Sequence, residues 1–306
     1  MDNVNGIIYQ RAERQDSTIA LDIFARSILD FEHRAGYSLN NVPPDQSQIT
    51  QTKEFFRSIF DHLSKTADQF WFAKINGRVI GYARSIMRDG FRQLTDFFVL
   101  PGRQSGGVGA GLLTRAFPAE SVRGRSVIAT TDVRAQAAYL KSGLSPVTPV
   151  YYFGRKPELR NYSSDIIFKP NKITPENIDA IGKLDQELIG FRRNVDHEWL
   201  LHDRQGFLYL RDENPVGYGY IGRVSSGPIA LLKSSDFPAV LAHAESYARQ
   251  NEYAQFGLQV PLINRQVVEY LLTLGYRMNP FLALLMLDGQ HGKFKNYILT
   301  SPVVFI

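Results

Sequence analysis

The chain has 306 residues, of which 44% are hydrophobic and 21% charged, with a formal charge of +5 and no cysteine. That length exceeds the roughly 100–200 residues of a single domain and that composition is too apolar for disorder, so two folded domains are expected. The missing cysteines exclude disulfide frameworks, thiolate metal sites and a cysteine nucleophile.

The first half reads as mixed α/β. Residues 17–33 carry Ile19, Ile23, Phe24, Ser27, Ile28 and Phe31 near helical spacing, and residues 52–64 repeat the pattern with Phe55, Phe56, Ile59, Phe60 and Leu63. Between them GYSLNNVPPDQSQ is expected to be a polar loop. FWFAKINGRVIGYARSI then predicts two strands around Asn76-Gly77, a dipeptide suited to a hairpin whose two central residues need positive φ. A third strand spans residues 94–100 and stops at Pro101. After a glycine-rich turn, GAGLLTRAF runs as a short helix until Pro118. SVIATT is a further strand, and VRAQAAYLKS a helix closed by Gly143.

GRKPELRNYSSD is polar and rich in turn formers, so the domain boundary is placed there, giving domains 1–156 and 165–306. Beyond it the pattern restarts. KINGRVIGYAR has a counterpart in RDENPVGYGYI, matching Gly81-Tyr82 to Gly217-Tyr218, and TTDVRAQAAYLKSGL has one in PLINRQVVEYLLTLGY. Asp132 precedes Gly143 by the same interval as Asn264 precedes Gly275, which points to a duplicated domain. Packing of two such halves would create a cleft beside the first half's groove. Tyr151, Tyr152 and Phe153, which follow the first half's last turn, are read as strand.

The segment LTDFFVLPGRQSGGVGAGLL places Gln104, Gly107 and Gly109 between a strand and a helix in the order Q-x-x-G-x-G. Glycines let backbone N–H groups approach a phosphate, and the helix N-terminus adds partial positive charge. GxGxxG would need a glycine at Leu112, and a Walker loop needs Lys then Ser or Thr after Gly111; neither is present.

This segment resembles the cofactor motif of the GNAT superfamily of N-acetyltransferases, V-x-P-x-x-[QR]-x-x-G-x-[GA], through Val99, Pro101, Gln104, Gly107 and Gly109. The resemblance covers roughly residues 7–153, and the second half looks like a degenerate copy. It implies an α/β chain, an α+β mixed sheet in each of two tandem GNAT domains. It also implies acetyl-CoA as co-substrate, with the backbone of Phe97, Phe98 and Val99 along the pantetheine arm. Ser105, Gly106, Gly107, Val108, Gly109 and Ala110 would surround the pyrophosphate. Tyr139 matches the family's tyrosine in N-x-x-A-x-x-x-Y-x-x-x-G and is expected to protonate the leaving thiolate. Asp132 stands at the family's asparagine position, which brings a negative charge toward an anion.

Direct attack of an amine on the thioester also needs an oxyanion donor, expected from a backbone N–H near Val99, and a base. Asp96, Glu32 and an ordered-water relay remain open for the base. The second half has SSGPIALLKSSDFPAVLAHAESYA where the first has its glycine loop, and Leu271 where the first has Tyr139. A structural or substrate-shaping role is expected of it.

No metal is expected, because the six histidines show no ligand spacing; Asp196, His197 and Glu198 are read as a solvated face or helix start. Residues 1–156 hold 20 Lys+Arg against 14 Asp+Glu, and residues 157–306 hold 15 against 16. The arginines are scattered, so no nucleic-acid partner is expected. No apolar run approaches the roughly 20 residues of a membrane span, and MDNVNGIIYQ lacks a signal-peptide pattern, so the expectation is a cytoplasmic protein with no membrane partner. The acceptor is expected to be a small-molecule or peptide amine, and the state monomer or homodimer. The competing class is a non-catalytic acyl-CoA-sensing or protein-interaction module.

Overall fold

The computed structural model describes residues 2–4, 6–37, 43–103, 106–172 and 174–306. Two compact units divide the chain, residues 1–127 with 132–144 and residues 128–131 with 145–306. The sequence boundary between 156 and 165 separates the repeated segments, while the spatial grouping places residues 145–155 with the second unit.

Unit 1 begins with β1 (Asp2–Val4) and β2 (Ile7–Arg11), followed by α1 (Ser17–Arg34) and α2 (Gln46–Lys65). Next come β3 (Ala67–Ile75), β4 (Arg78–Arg88), β5 (Phe91–Val99), α3 (Val108–Ala116), β6 (Gly124–Ala129, whose last two residues group with unit 2) and α4 (Val133–Lys141). Strands β1 to β5 pair antiparallel in succession. β6 joins parallel to β5, with residues 91–94 opposite 124–127. The hairpin turn has Asn76 at φ 49° and Gly77 at φ 76°, the geometry that the dipeptide predicted.

α2 starts six residues earlier than its apolar spacing suggested. The cause is a capping box: Asp45 accepts from the Gln48 amide at 2.8 Å, and the Gln48 side chain accepts from the Asp45 amide at 2.9 Å. The expected loop is shortened accordingly, and its residues 38–42 lie outside the described residues.

Successive side chains of β5 point to opposite faces of the sheet. On one face Phe98 meets Phe24 of α1 edge-on at 5.1 Å, and Phe24 meets Phe60 of α2 at 5.1 Å. On the other, Phe97 faces α3 and α4 through contacts at Gly109 and Tyr139. Phe24, Phe60 and Tyr82 are buried; removing each such ring from water contributes about 1.5–3 kcal/mol.

Unit 2 contains β7 (Ser145–Arg155), β8 (Ile167–Pro170), α5 (Pro175–Leu188), α6 (Asn194–Asp203), β9 (Gln205–Arg211), β10 (Asn214–Ile221) and β11 (Ile229–Leu231). It continues with α7 (Phe237–Gln250), β12 (Phe256–Pro261), α8 (Arg265–Thr273), β13 (Arg277–Leu287) and β14 (Tyr297–Ile298). One sheet has the order β14-β11-β10-β9-β8. β7, which carries Tyr151, Tyr152 and Phe153, pairs antiparallel with both β12 and β13. The core is formed by Phe207, Phe237, Leu241, Leu258, Leu271 and Ile298 among others.

The duplication is visible in geometry as well as in sequence. α4 and α8 are each nine residues long, capped by Asp132 and Asn264 and followed by Gly143 at φ 87° and Gly275 at φ 79°. β7 and β13 are each eleven residues. Gly81 lies opposite Val99 and Gly217 opposite Leu231. A Cβ on either glycine would meet the carbonyl oxygen of the preceding cross-strand residue, Phe98 at 2.8 Å or Ala230 at 2.5 Å, so both copies need glycine there for the same close approach.

One expectation is corrected. Asp196 and His197 do not form a solvated face: both are fully buried near the start of α6, while Glu198 is exposed. His197 Nε2 lies 2.7 Å from Asp185 Oδ2, and its Nδ1 lies 2.9 Å from the Tyr220 hydroxyl. Arg193, also fully buried, donates to Asp185 at 2.7 Å. Burial alone would raise the Asp185 carboxyl, but Arg193 and His197 outweigh it and hold it below the ordinary value. A charged residue can be buried when paired, and sequence alone does not show the pairing.

Candidate functional site

The glycine loop of unit 1 leads directly into α3. Gly106 and Gly107 adopt φ 76° and 82°, the left-handed region that suits glycine, and no heavy atom of the described residues lies within 4 Å of where a Cβ on either would stand. Gly107 is the N-cap of α3 and supplies no side-chain cap. The first intrahelical bond at this end runs from the Gly111 amide to the Gly107 carbonyl at 3.0 Å, so the preceding amides of the first turn have no partner within the helix. Val108 is buried, Gly109 half-buried and Ala110 exposed. Gln104 and Ser105, both expected in the loop, lie outside the described residues.

Phe97 links this helix start to the expected acid. A Cβ on Gly109 would stand 3.1 Å from Phe97 Cζ, and the Phe97 ring meets the Tyr139 ring at 6.1 Å and 62°. Tyr139 is 4% exposed. Burial, and then the negative charge of Asp132, push its phenol well above the ordinary tyrosine value, so it stays protonated throughout the neutral range. Phe98 points to the other face and stacks on Tyr82 at 6.1 Å. Val99 is buried at the end of β5.

Asp132 is occupied as a helix cap. Its carboxylate accepts from the backbone amides of Arg134 at 2.9 Å and Ala135 at 3.3 Å, and pairs with the Arg134 guanidinium at 3.0 Å. Burial would raise this carboxyl, but Arg134 and the two amides outweigh it and lower it. An asparagine would cap equally well; aspartate adds a charge that Arg134 balances.

Of the two carboxylates considered as base, Asp96 is buried at 2% exposure. Its oxygens are engaged by Arg84 Nε at 2.8 Å, the Tyr82 hydroxyl at 3.2 Å and the Thr95 hydroxyl at 2.8 Å. Arg84, fully buried, also donates to Ser64 Oγ at 2.5 Å and to the Phe60 carbonyl at 3.2 Å. Asp96 therefore serves as the counter-ion that lets Arg84 tie β4 to α2. Thr95 has no partner of its own in the β4 register, a bulge that turns the end of β5. Glu32, half-buried on α1, has its carboxyl raised by burial.

The sequence reading missed Tyr9. It lies on β2, nearly a hundred residues from the loop, and its hydroxyl sits 3.4 Å from the carbonyl oxygens of Gly107 and Val108. The Arg115 guanidinium lies 4.2 Å above its ring. A Cβ on Gly111 would stand 2.1 Å from that hydroxyl, so Gly111 makes room for Tyr9. The glycine at 111 was the available sequence signal, but nothing in it named its partner. Among the described residues no group of three or more metal-binding side chains is found, and no helix is long and apolar enough to cross a membrane.

Residues 36–144 match the acetyltransferase (GNAT) family. No curated protein matches the chain. Among solved structures, a protein from Pyrococcus horikoshii assigned as an acetyltransferase superposes with a TM-score of 0.72 at 15% identity, covering 97% of this chain and 95% of its own. A GCN5-related N-acetyltransferase from Sphaerobacter thermophilus gives 0.56 at 12% identity over 94% and 96%. A tandem GNAT protein from the clavulanic acid biosynthesis pathway gives 0.53 at 12% over 93% and 99%. At these identities the likeness establishes the fold, a tandem GNAT architecture.

Proposed function

We propose, for a chain whose residues 36–144 match the acetyltransferase (GNAT) family, that unit 1 transfers acetyl from acetyl-CoA to a primary amine by direct attack in a ternary complex. The observation that carries this reading is the start of α3, with glycine at its N-cap, joined through Phe97 to the buried phenol of Tyr139. The first-turn amides of α3, with Gly106 and Gly107 ahead of them, suit a pyrophosphate. The end of β5 at Phe97, Phe98 and Val99 suits an extended pantetheine arm.

In the reaction the amine nitrogen bonds to the thioester carbonyl carbon, and a backbone N–H near Val99 receives the developing oxyanion. As the intermediate collapses, the C–S bond breaks and Tyr139 offers its proton to the sulfur. The proton released by the amine goes to Glu32 or a water relay, since Asp96 is held by Arg84. Asp132, expected beside the cofactor, acts through the α4 start that it caps. The domain division is kept at 1–156 and 165–306, with a cytoplasmic location and a small-molecule or peptide amine as acceptor.

The test is Tyr139→Phe. Turnover of acetyl-CoA with an accepted amine should fall about 10²- to 10⁴-fold while calorimetric affinity for acetyl-CoA is kept. Unchanged turnover would remove Tyr139 from the chemistry. Acetyl-CoA binding by the unaltered protein without turnover across an amine panel would favour a sensing module.

A further inference from the structure

The equivalence of the two units assigns a role to the last segment of unit 2. With Gly81 matched to Gly217, the paired registers match Phe97 to Ile229, Phe98 to Ala230 and Val99 to Leu231. In unit 1 this strand end is the edge read above as the seat of the cofactor arm. In unit 2 the same edge is taken by the chain itself: Ala230 lies opposite Tyr297 and Ile229 opposite Ile298 in an antiparallel pair.

The segment is bound on both sides and at its start. The Leu299 amide donates to the Gln259 carbonyl of β12 at 2.9 Å, and β12 is the counterpart of β6. The segment therefore bridges the two strands whose counterparts in unit 1 are β5 and β6. The Asn296 side-chain amide donates to the carbonyls of Leu231 and Leu232 at 2.8 and 2.9 Å. Tyr297, Ile298 and Leu299 are fully buried. Arg193 donates to both the Tyr297 hydroxyl and the Ile306 carbonyl, with Asp185 balancing its charge.

The phosphate end differs too. α3 opens on Gly106 and Gly107, whereas α7 is preceded by Asp236, paired with Arg211 at 3.0 Å, and begins with fully buried Phe237 followed by half-buried Pro238. A carboxylate and a missing amide stand where unit 1 has a glycine N-cap and the first-turn amides of α3.

We propose that residues 296–299 plug, in unit 2, the groove that unit 1 keeps for the cofactor arm, so that the chain binds one acyl-CoA and closes its second site with its own backbone. The plug supplies the β11 edge with main-chain partners that a pantetheine arm would otherwise provide, and it fills the volume with Tyr297 and Ile298. Naming that groove a cofactor groove rests on the function proposed for unit 1; the plugging itself rests on the strand registers.

Residue-resolved hydrogen exchange on the full chain, without and with saturating CoA, separates the two. Without ligand, the outward-facing amides among residues 229–230, which the plug pairs, should exchange at least about a thousandfold more slowly than their counterparts among 97–98. CoA should slow exchange only in the unit 1 segment, and calorimetry should give one site per chain. Equal exchange at the two edges, a second CoA site, or loosening of residues 297–299 on CoA addition would each overturn the plug. Slow exchange at 229–230 with CoA binding nowhere would refute the proposed function and leave the plug standing.

Discussion

Replacing Gly107 tests whether charge recognition at the start of α3 holds the cofactor. Among the described residues no heavy atom lies within 4 Å of a Cβ at this position, so a side chain there meets none of them. The left-handed backbone, φ 82°, costs a non-glycine residue about 1–2 kcal/mol, and aspartate and asparagine tolerate it better than most. Gly107→Asp should therefore fold. A carboxylate held about 4–5 Å from a phosphate charge at an effective dielectric near 20 is opposed by about 3–4 kcal/mol. That corresponds to a loss of roughly 10²- to 10³-fold in Kd. Gly107→Asn has nearly the same shape and no charge, and should lose less than about tenfold. Isothermal titration with acetyl-CoA measures both. Equal losses in the two variants would make the effect steric, and full affinity in Gly107→Asp would place the phosphates elsewhere.

Asp96→Asn leaves Arg84 as a fully buried charge without its counter-ion and should destabilise the chain by about 3–5 kcal/mol in a urea titration; a loss below about 1 kcal/mol would mean the pair carries little. His243, stacked on Phe168 at 4.2 Å, is pushed down to about 4 by burial, from an ordinary value near 6.5. Its neutral form is the one the folded state favours, so its stabilisation is complete above about pH 6.5 and is lost as pH falls toward 4. Thermal melts over that window should show a decline that His243→Phe reduces; an unaltered profile would reject the assignment. Gly111→Ala should displace Tyr9 from the start of α3 and weaken acetyl-CoA binding, and Tyr9→Ala in the same chain should recover part of that loss by opening the space.

Much of this protein is legible in the sequence because the signals are local. Asn76-Gly77 states a hairpin, Gly143 a helix end, and the glycines after Pro101 a helix start; each depends on backbone conformations that few other residues adopt. The equal interval from Asp132 to Gly143 and from Asn264 to Gly275 exposed the duplication for the same reason, since caps and left-handed glycines fix helix length. The Asp45–Gln48 capping box was equally local, and apolar spacing alone overlooked it.

What tertiary structure decided are partners distant in sequence. Tyr9 meets the α3 start, Arg84 turns Asp96 from a candidate base into a counter-ion, and Asp185 and Tyr220 draw His197 into the core. The role of residues 296–299 follows the same rule. Nothing in their composition states that they lie along β11, because an exposed strand edge accepts any chain with free backbone groups, and only the fold brings that chain within reach.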